Sequence, residues 1–76
     1  MRELLEFLAR ELVDEPDAVV VTEARDDRGV LLTLTVAPDD MGKVIGRAGR
    51  TARAIRAIVR AAATRQGMSA RVDILD

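Results

Sequence analysis

Four leucines open the pattern. Leu4, Leu5, Leu8 and Leu12 fall on one stripe of a helix running from Arg2 to Val13 and are expected in the core, with Glu3, Glu6, Arg10 and Glu11 elsewhere on its circumference. Asp14-Glu15-Pro16-Asp17 ends this helix, because the residue before a proline resists the helical region. Residues 18–24 are β-rich around Val19-Val20-Val21-Thr22, and Asp26-Asp27-Arg28-Gly29 reads as a turn. The strand that follows alternates cleanly: Val30, Leu32, Leu34 and Val36 share one face, Leu31, Thr33 and Thr35 the other. Pro38 stops it, and Asp39 and Asp40 stand where they can cap a short helix over residues 40–45. That helix runs into Gly46-Arg47-Ala48-Gly49, and a long helix follows from Arg50 to Arg65 with Ile55, Ile58, Val59 and Ala62 on its expected core side. Gly67 supplies a stop, and Ala70-Arg71-Val72-Asp73-Ile74 alternates as a final strand. The order αββααβ predicts one α+β domain over residues 1–76, a three-stranded mixed sheet with its helices packed on one face. Val20, Leu31 and Leu75 are expected on the uncovered sheet face, either as ordinary surface or as a partner site.

Composition narrows the chemistry. The 76 residues contain no Cys and no His, which excludes cysteine nucleophiles, histidine bases and thiolate or imidazole zinc sites. No cofactor is expected, and Asp39 and Asp40 have no partner carboxylates in view for metal or acid–base work. At 49% hydrophobic the chain is too apolar for a disordered tail, yet no run is long enough to span a membrane. With no export signal ahead of Met1, a cytoplasmic location is expected.

Charge changes the picture. The net charge is −1, which by itself argues against a nucleic-acid partner. Residues 1–40, however, carry 4 basic and 11 acidic side chains, and residues 41–76 carry 8 basic and 2 acidic. Such asymmetry points to one positive face on a nearly neutral molecule. The bland alternative is a solvated arginine-rich helix without a ligand, and Arg56, Arg60 and Arg65 are read mainly in that way, as sources of long-range attraction.

The informative stretch is Gly42-Lys43-Val44-Ile45-Gly46-Arg47-Ala48-Gly49-Arg50. It has no Gly-Lys-Ser/Thr and is therefore not a nucleotide P-loop. A helix rather than a strand precedes it and its glycine spacing is wrong, so the dinucleotide reading fails as well. What remains is two helices joined by a four-residue G-x-x-G turn. Gly46 can take the left-handed conformation that ends the first helix, and Gly49 leaves room for a backbone approaching the start of the second. A tight helix–helix turn needing glycine for geometry alone is the competing reading.

The run Val44-Ile45-Gly46-Arg47-Ala48-Gly49-Arg50-Thr51-Ala52-Arg53-Ala54-Ile55 resembles the signature of the KH domain, an RNA- or single-stranded-DNA-binding module. The flanking order of elements resembles the type II, bacterial topology. The leucine-rich first helix, Asp14-Glu15-Pro16-Asp17 and the full stretch from Val36 to Arg56 are similar to the KhpA family of single-KH proteins. The resemblance implies that Gly46, Arg47, Ala48 and Gly49 clamp a nucleotide backbone. It implies that Lys43, Val44 and Ile45 line the first helix beside a narrow groove, that Arg50 and Arg53 begin its other wall, and that the last strand closes the floor. Ala48 departs from the family, whose two middle positions are commonly both long and polar. A non-enzymatic RNA chaperone or post-transcriptional regulator is implied, with single-stranded RNA, a second copy of the chain and a larger Jag-type KH protein (KhpB) as partners. A protein-interaction module that docks on a partner protein or ribosomal assembly with little RNA contact is the reading from a different class. A phosphoryl-transfer enzyme lacks every catalytic element.

Overall fold

A computed structural model describes residues 1–75. Helix α1 (Arg2–Leu12) is followed by a 3-10 turn at Pro16–Ala18, then by β1 (Val20–Asp26) and β2 (Gly29–Thr35). A second 3-10 turn at Pro38–Asp40 leads into α2 (Met41–Ile45), a third at Arg47–Gly49 into α3 (Arg50–Arg65), and β3 (Ala70–Ile74) closes the chain. The sheet order is β1-β2-β3, with β1 antiparallel to β2 and β2 parallel to β3. The hairpin follows from Asp26 opposing Gly29 across a two-residue turn, whereas a parallel β3 needs the whole α2–α3 crossover to return to the same end.

The alternation along β2 does what its pattern requires. Val30, Leu32 and Leu34 are sealed against the helices, with Leu5, Ala9, Val44, Val59 and Ala63 filling the space above them. The core contains no aromatic side chain; Phe7, the only one in the chain, is 59% exposed on the outer face of α1. Aliphatic side chains must therefore fill the layer between helices and sheet, and alanines at Ala9, Ala52 and Ala63 let the helices approach closely.

Several positions differ from the sequence expectation. The first strand starts at Val20, two residues later than the expected start at residue 18, because Pro16 and Asp17 open a 3-10 turn instead of leading straight into sheet. Leu12, in the last turn of α1, is 38% exposed, and Ala9 is the residue of that stretch sealed in the core. Leu4 and Leu8 flank the buried stripe and are only half-buried. On α3, Ile58 is 45% exposed, one step around the helix from the buried line Ile55–Val59–Ala63, and Ala62 is half-buried where Ala63 is sealed. Neither Asp39 nor Asp40 caps α2: Asp39 is exposed, and Asp40 is buried and turned toward the end of α1. The face of the sheet away from the helices carries Val20 and Leu75 exposed and Leu31 half-buried, together with the ion pair Arg71–Asp26 at 3.0 Å.

Candidate nucleic-acid interface

Gly46, Arg47, Ala48 and Gly49 form the joint between α2 and α3, and each takes the backbone conformation that the joint requires. The Gly46 N–H closes α2 on the Gly42 carbonyl at 2.9 Å, with φ at 75°. A side chain here would run into the Thr51 hydroxyl and lie 2.9 Å from the Thr51 amide nitrogen, so no other residue fits. Gly49 is also left-handed, at φ 75° and ψ 14°. Between them Ala48 sits at φ 55° and ψ 25°, the one non-glycine residue of positive φ among those described. That conformation costs an alanine on the order of 1 kcal/mol and persists because the turn on either side dictates it.

The turn disposes of its carbonyls in a way that defines its outer face. The Gly46 carbonyl accepts from the Gly49 N–H at 3.1 Å, and the Arg47 carbonyl accepts from the Arg50 N–H. The Ala48 carbonyl accepts from the Arg53 guanidinium at 2.9 Å. All three acceptors are thus engaged internally. The amides of Arg47 and Ala48, the first two residues of their 3-10 turn, have no partner inside it. Successive free N–H groups beside left-handed residues make a concavity suited to an anion, and the amino end of the 16-residue α3 lies next to it. Arg47, Ala48 and Arg50 are exposed around this turn, with Ile45, Gly46 and Gly49 half-buried.

The other expected residues divide. Val44 is fully buried and supports α2 from beneath, so it does not line a groove as expected. Arg53 is exposed but spends one guanidinium nitrogen on the loop. Lys43 lies with its ammonium 3.0 Å from Asp14 and 3.6 Å from Asp40, an intramolecular engagement the sequence reading did not foresee.

Asp40 organises that corner. It is 2% exposed and accepts from the Asp14 and Glu15 amides at 3.2 and 3.0 Å, fastening the end of α1 to the start of α2. Burial alone would raise its carboxyl; the two amides and Lys43 outweigh that and hold it below its ordinary 3.8. The Lys43 ammonium is raised above its ordinary 10.5, first by its hydrogen bond and charge pairing with Asp14, against the opposing effect of burial.

Sequence reasoning also missed Arg56. It is half-buried and its Nε donates to the Val72 carbonyl at 3.1 Å, tying α3 to the outer edge of β3. The one available signal was its spacing of three from Arg53, which places both on the same flank of α3. Among the described residues no group of acidic side chains is placed to hold a metal, and no helix is long and apolar enough to cross a membrane.

Matches to known proteins run over nearly the whole chain. The family described as "KhpA/KhpB, KH domain" matches residues 2–74. A protein of Halalkalibacterium halodurans named "RNA-binding protein KhpA" is 53% identical over the full length of both chains. Proteins of the same name from Clostridium acetobutylicum, 48% identical over 99% of this chain and all of theirs, and from Streptomyces coelicolor, 49% identical over all of this chain and 92% of theirs, match as well. These names describe RNA binding and no reaction. With its αββααβ order, mixed sheet and G-x-x-G joint, the chain belongs to the KhpA/KhpB family of KH domains and has the type II KH fold.

Proposed function

We propose that this protein binds single-stranded RNA in the groove between the α2–α3 turn and the free edge of β3. The observation that carries the reading is the loop's polarity: every carbonyl of Gly46, Arg47 and Ala48 is bonded inward, which leaves amide donors to face a phosphate. Arg47 and Arg50 add charge at the same place, and Ile45 offers an aliphatic surface for a base. The relatives' names support the same reading. Lys43 enters only by leaving Asp14, and Arg53 acts first on the loop. With no aromatic in the groove to stack on, one domain binds modestly, and roughly four nucleotides fill it. A second groove, on another copy of the chain or on a larger Jag-type KhpB protein, adds roughly 10²–10⁴ in avidity when both engage one strand. The role that fits is a cytoplasmic RNA chaperone or post-transcriptional regulator.

The test is the double variant Arg47→Asp with Ala48→Asp. Aspartate tolerates the left-handed conformation of residue 48, so the fold survives while two carboxylates oppose the phosphate. Binding to a single-stranded oligonucleotide is expected to vanish with the circular dichroism spectrum unchanged. The wild-type affinity is expected to fall with salt at a log–log slope of about −1.5 to −3, for roughly two to four phosphate contacts at about −0.7 each. Unchanged affinity in the folded double variant overturns the assignment.

A further inference from the structure

The edge of β3 carries a second arginine device. Because β3 runs parallel to β2, alternate residues bond to β2. The Val30 N–H takes the Ser69 carbonyl at 2.9 Å and the Leu75 N–H takes the Leu34 carbonyl at 3.0 Å. The intervening residues Ala70, Val72 and Ile74 therefore turn their N–H and C=O groups to the free edge. A free strand edge presents donors and acceptors in alternation, and a base laid beside it can pair with both kinds. At the centre of this edge the acceptor is already taken, since the Val72 carbonyl receives the Arg56 Nε at 3.1 Å.

What Arg56 puts in its place is a pair of donors. With Nε anchored, its two Nη groups form the outer fork of the guanidinium. No side chain or carbonyl among the described residues takes either of them. Among the described residues the Arg71 Nε is the one buried side-chain nitrogen or oxygen without a partner, so both Arg56 Nη groups are open to solvent. Arg53, one turn earlier on the same flank of α3, holds the phosphate loop, which sets Arg56 on the side of the groove where bases lie when the backbone sits on the loop.

Such a fork accepts two adjacent acceptor atoms. Cytosine presents them as O2 and N3, and guanine as O6 and N7. On both edges that carry its amino group adenine sets that donor beside N1 or N7, so one donor would face another, and the Val72 carbonyl nearby is already engaged by the Arg56 Nε. Uracil offers single acceptors on either side of an N–H. We propose that Arg56 is the specificity-determining residue of the groove, favouring cytosine and guanine and rejecting adenine at the nucleotide over Val72. This rests on the RNA-groove reading above.

The test uses the full chain with oligo(rC) and oligo(rA) of ten nucleotides, measured by fluorescence anisotropy at one salt concentration. The wild type is expected to prefer oligo(rC) by about tenfold or more. Arg56→Lys keeps the charge and removes the fork; its preference should collapse toward unity, chiefly by recovery of oligo(rA) binding as the Val72 carbonyl is freed. An oligonucleotide of 3-deazacytidine, which lacks the N3 acceptor, should bind the wild type as weakly as oligo(rA), a result that does not depend on any variant folding. No cytosine preference in the wild type, an unchanged preference in a folded Arg56→Lys, or full-strength binding of the deaza oligonucleotide overturns this proposal alone. Absence of binding to every oligonucleotide overturns the groove reading as well.

Discussion

The Arg53 guanidinium donates to the Ala48 carbonyl at 2.9 Å, bridging the turn that joins the two helices from a position five residues along. It withdraws the last free acceptor from the loop, and its removal should be felt in the loop's dynamics as well as in its charge. In Arg53→Ala the Ala48 peptide is released, at about 0.5–1 kcal/mol for an exposed bond. Amide exchange of residues 47–50 should accelerate, and oligonucleotide binding should weaken by roughly two- to fivefold beyond that of Arg60→Ala, which removes a charge from the same helix flank. Equal effects of the two variants, with unchanged loop exchange, would reduce Arg53 to a point charge.

Two substitutions in the same turn should have opposite signs. Gly46→Ala places a methyl group against Thr51 at a φ of 75°, and should destabilise the domain by about 1–3 kcal/mol. Ala48→Gly relieves a left-handed alanine two residues away and should stabilise it by up to about 1 kcal/mol. Urea denaturation followed by circular dichroism measures both. A destabilised Ala48→Gly would mean that the alanine methyl makes a contact worth more than its strain.

The acid limit of stability should belong to Asp40. Its folded carboxyl is held below 3.8, so its contribution is fully present above the ordinary carboxylate range and is lost as pH falls through the lowered value. Lys43, raised above 10.5, contributes below that pH and loses its share only as the solution becomes strongly alkaline. With no histidine in the chain, the thermal midpoint should be flat between about pH 5 and 9 and drop below about pH 4. Asp40→Asn should lower the neutral plateau and flatten the acid limb, because an amide does not titrate and is a weaker acceptor for the Asp14 and Glu15 amides. An undiminished acid limb in that variant would assign it to other carboxylates.

The outlines of this molecule were plain in its residues wherever a pattern repeats. The alternation of β2, the long run of α3 and the αββααβ order needed no tertiary information, because period and punctuation are local properties. Ile58 and Leu12 were harder. Each sits at the border of a helical stripe, where exposure depends on how far the neighbouring layer extends. Asp40 looked like a helix cap because its position before α2 is a capping position; its partners are 26 and 25 residues away, and no local pattern encodes them. The joint itself was legible as four residues, but its polarity was not, because the Ala48 carbonyl is satisfied from Arg53. Lys43 and Val44 show the remaining limit: they stand in the motif by sequence, while burial and a neighbouring aspartate decide what they can touch.

Self-association should use the outer face of α3. There Ile58, 45% exposed, lies beside exposed Ala54, Ala57 and Ala61, a strip of small side chains that allows close approach of a second helix. Ala63, further along the same helix, is sealed inside and contributes nothing to such a contact. Sedimentation equilibrium at tens of micromolar should show a dimer for the wild type and a shift to monomer for Ile58→Asp, with the fold intact. A dimer that survives Ile58→Asp but dissociates in Leu75→Asp would move the interface to the open sheet face.

The lateral layout of the sheet also gives the molecule an electrical direction. The acid-rich first half builds α1 and β1 on one side, the basic second half builds α3 and β3 on the other, and the long dimension is 34 Å. A body with a net charge of −1 is faintly repelled by a polyanion as a monopole, so whatever draws it in is its dipole moment. A dipole's pull decays more steeply with distance than that of a charge, and in physiological salt it is largely screened beyond about 8 Å. Capture therefore begins only near contact, with a torque that turns the β3 edge inward and the α1 flank away. Encounter rates should be unexceptional, while the fraction of encounters that arrive facing the right way is high.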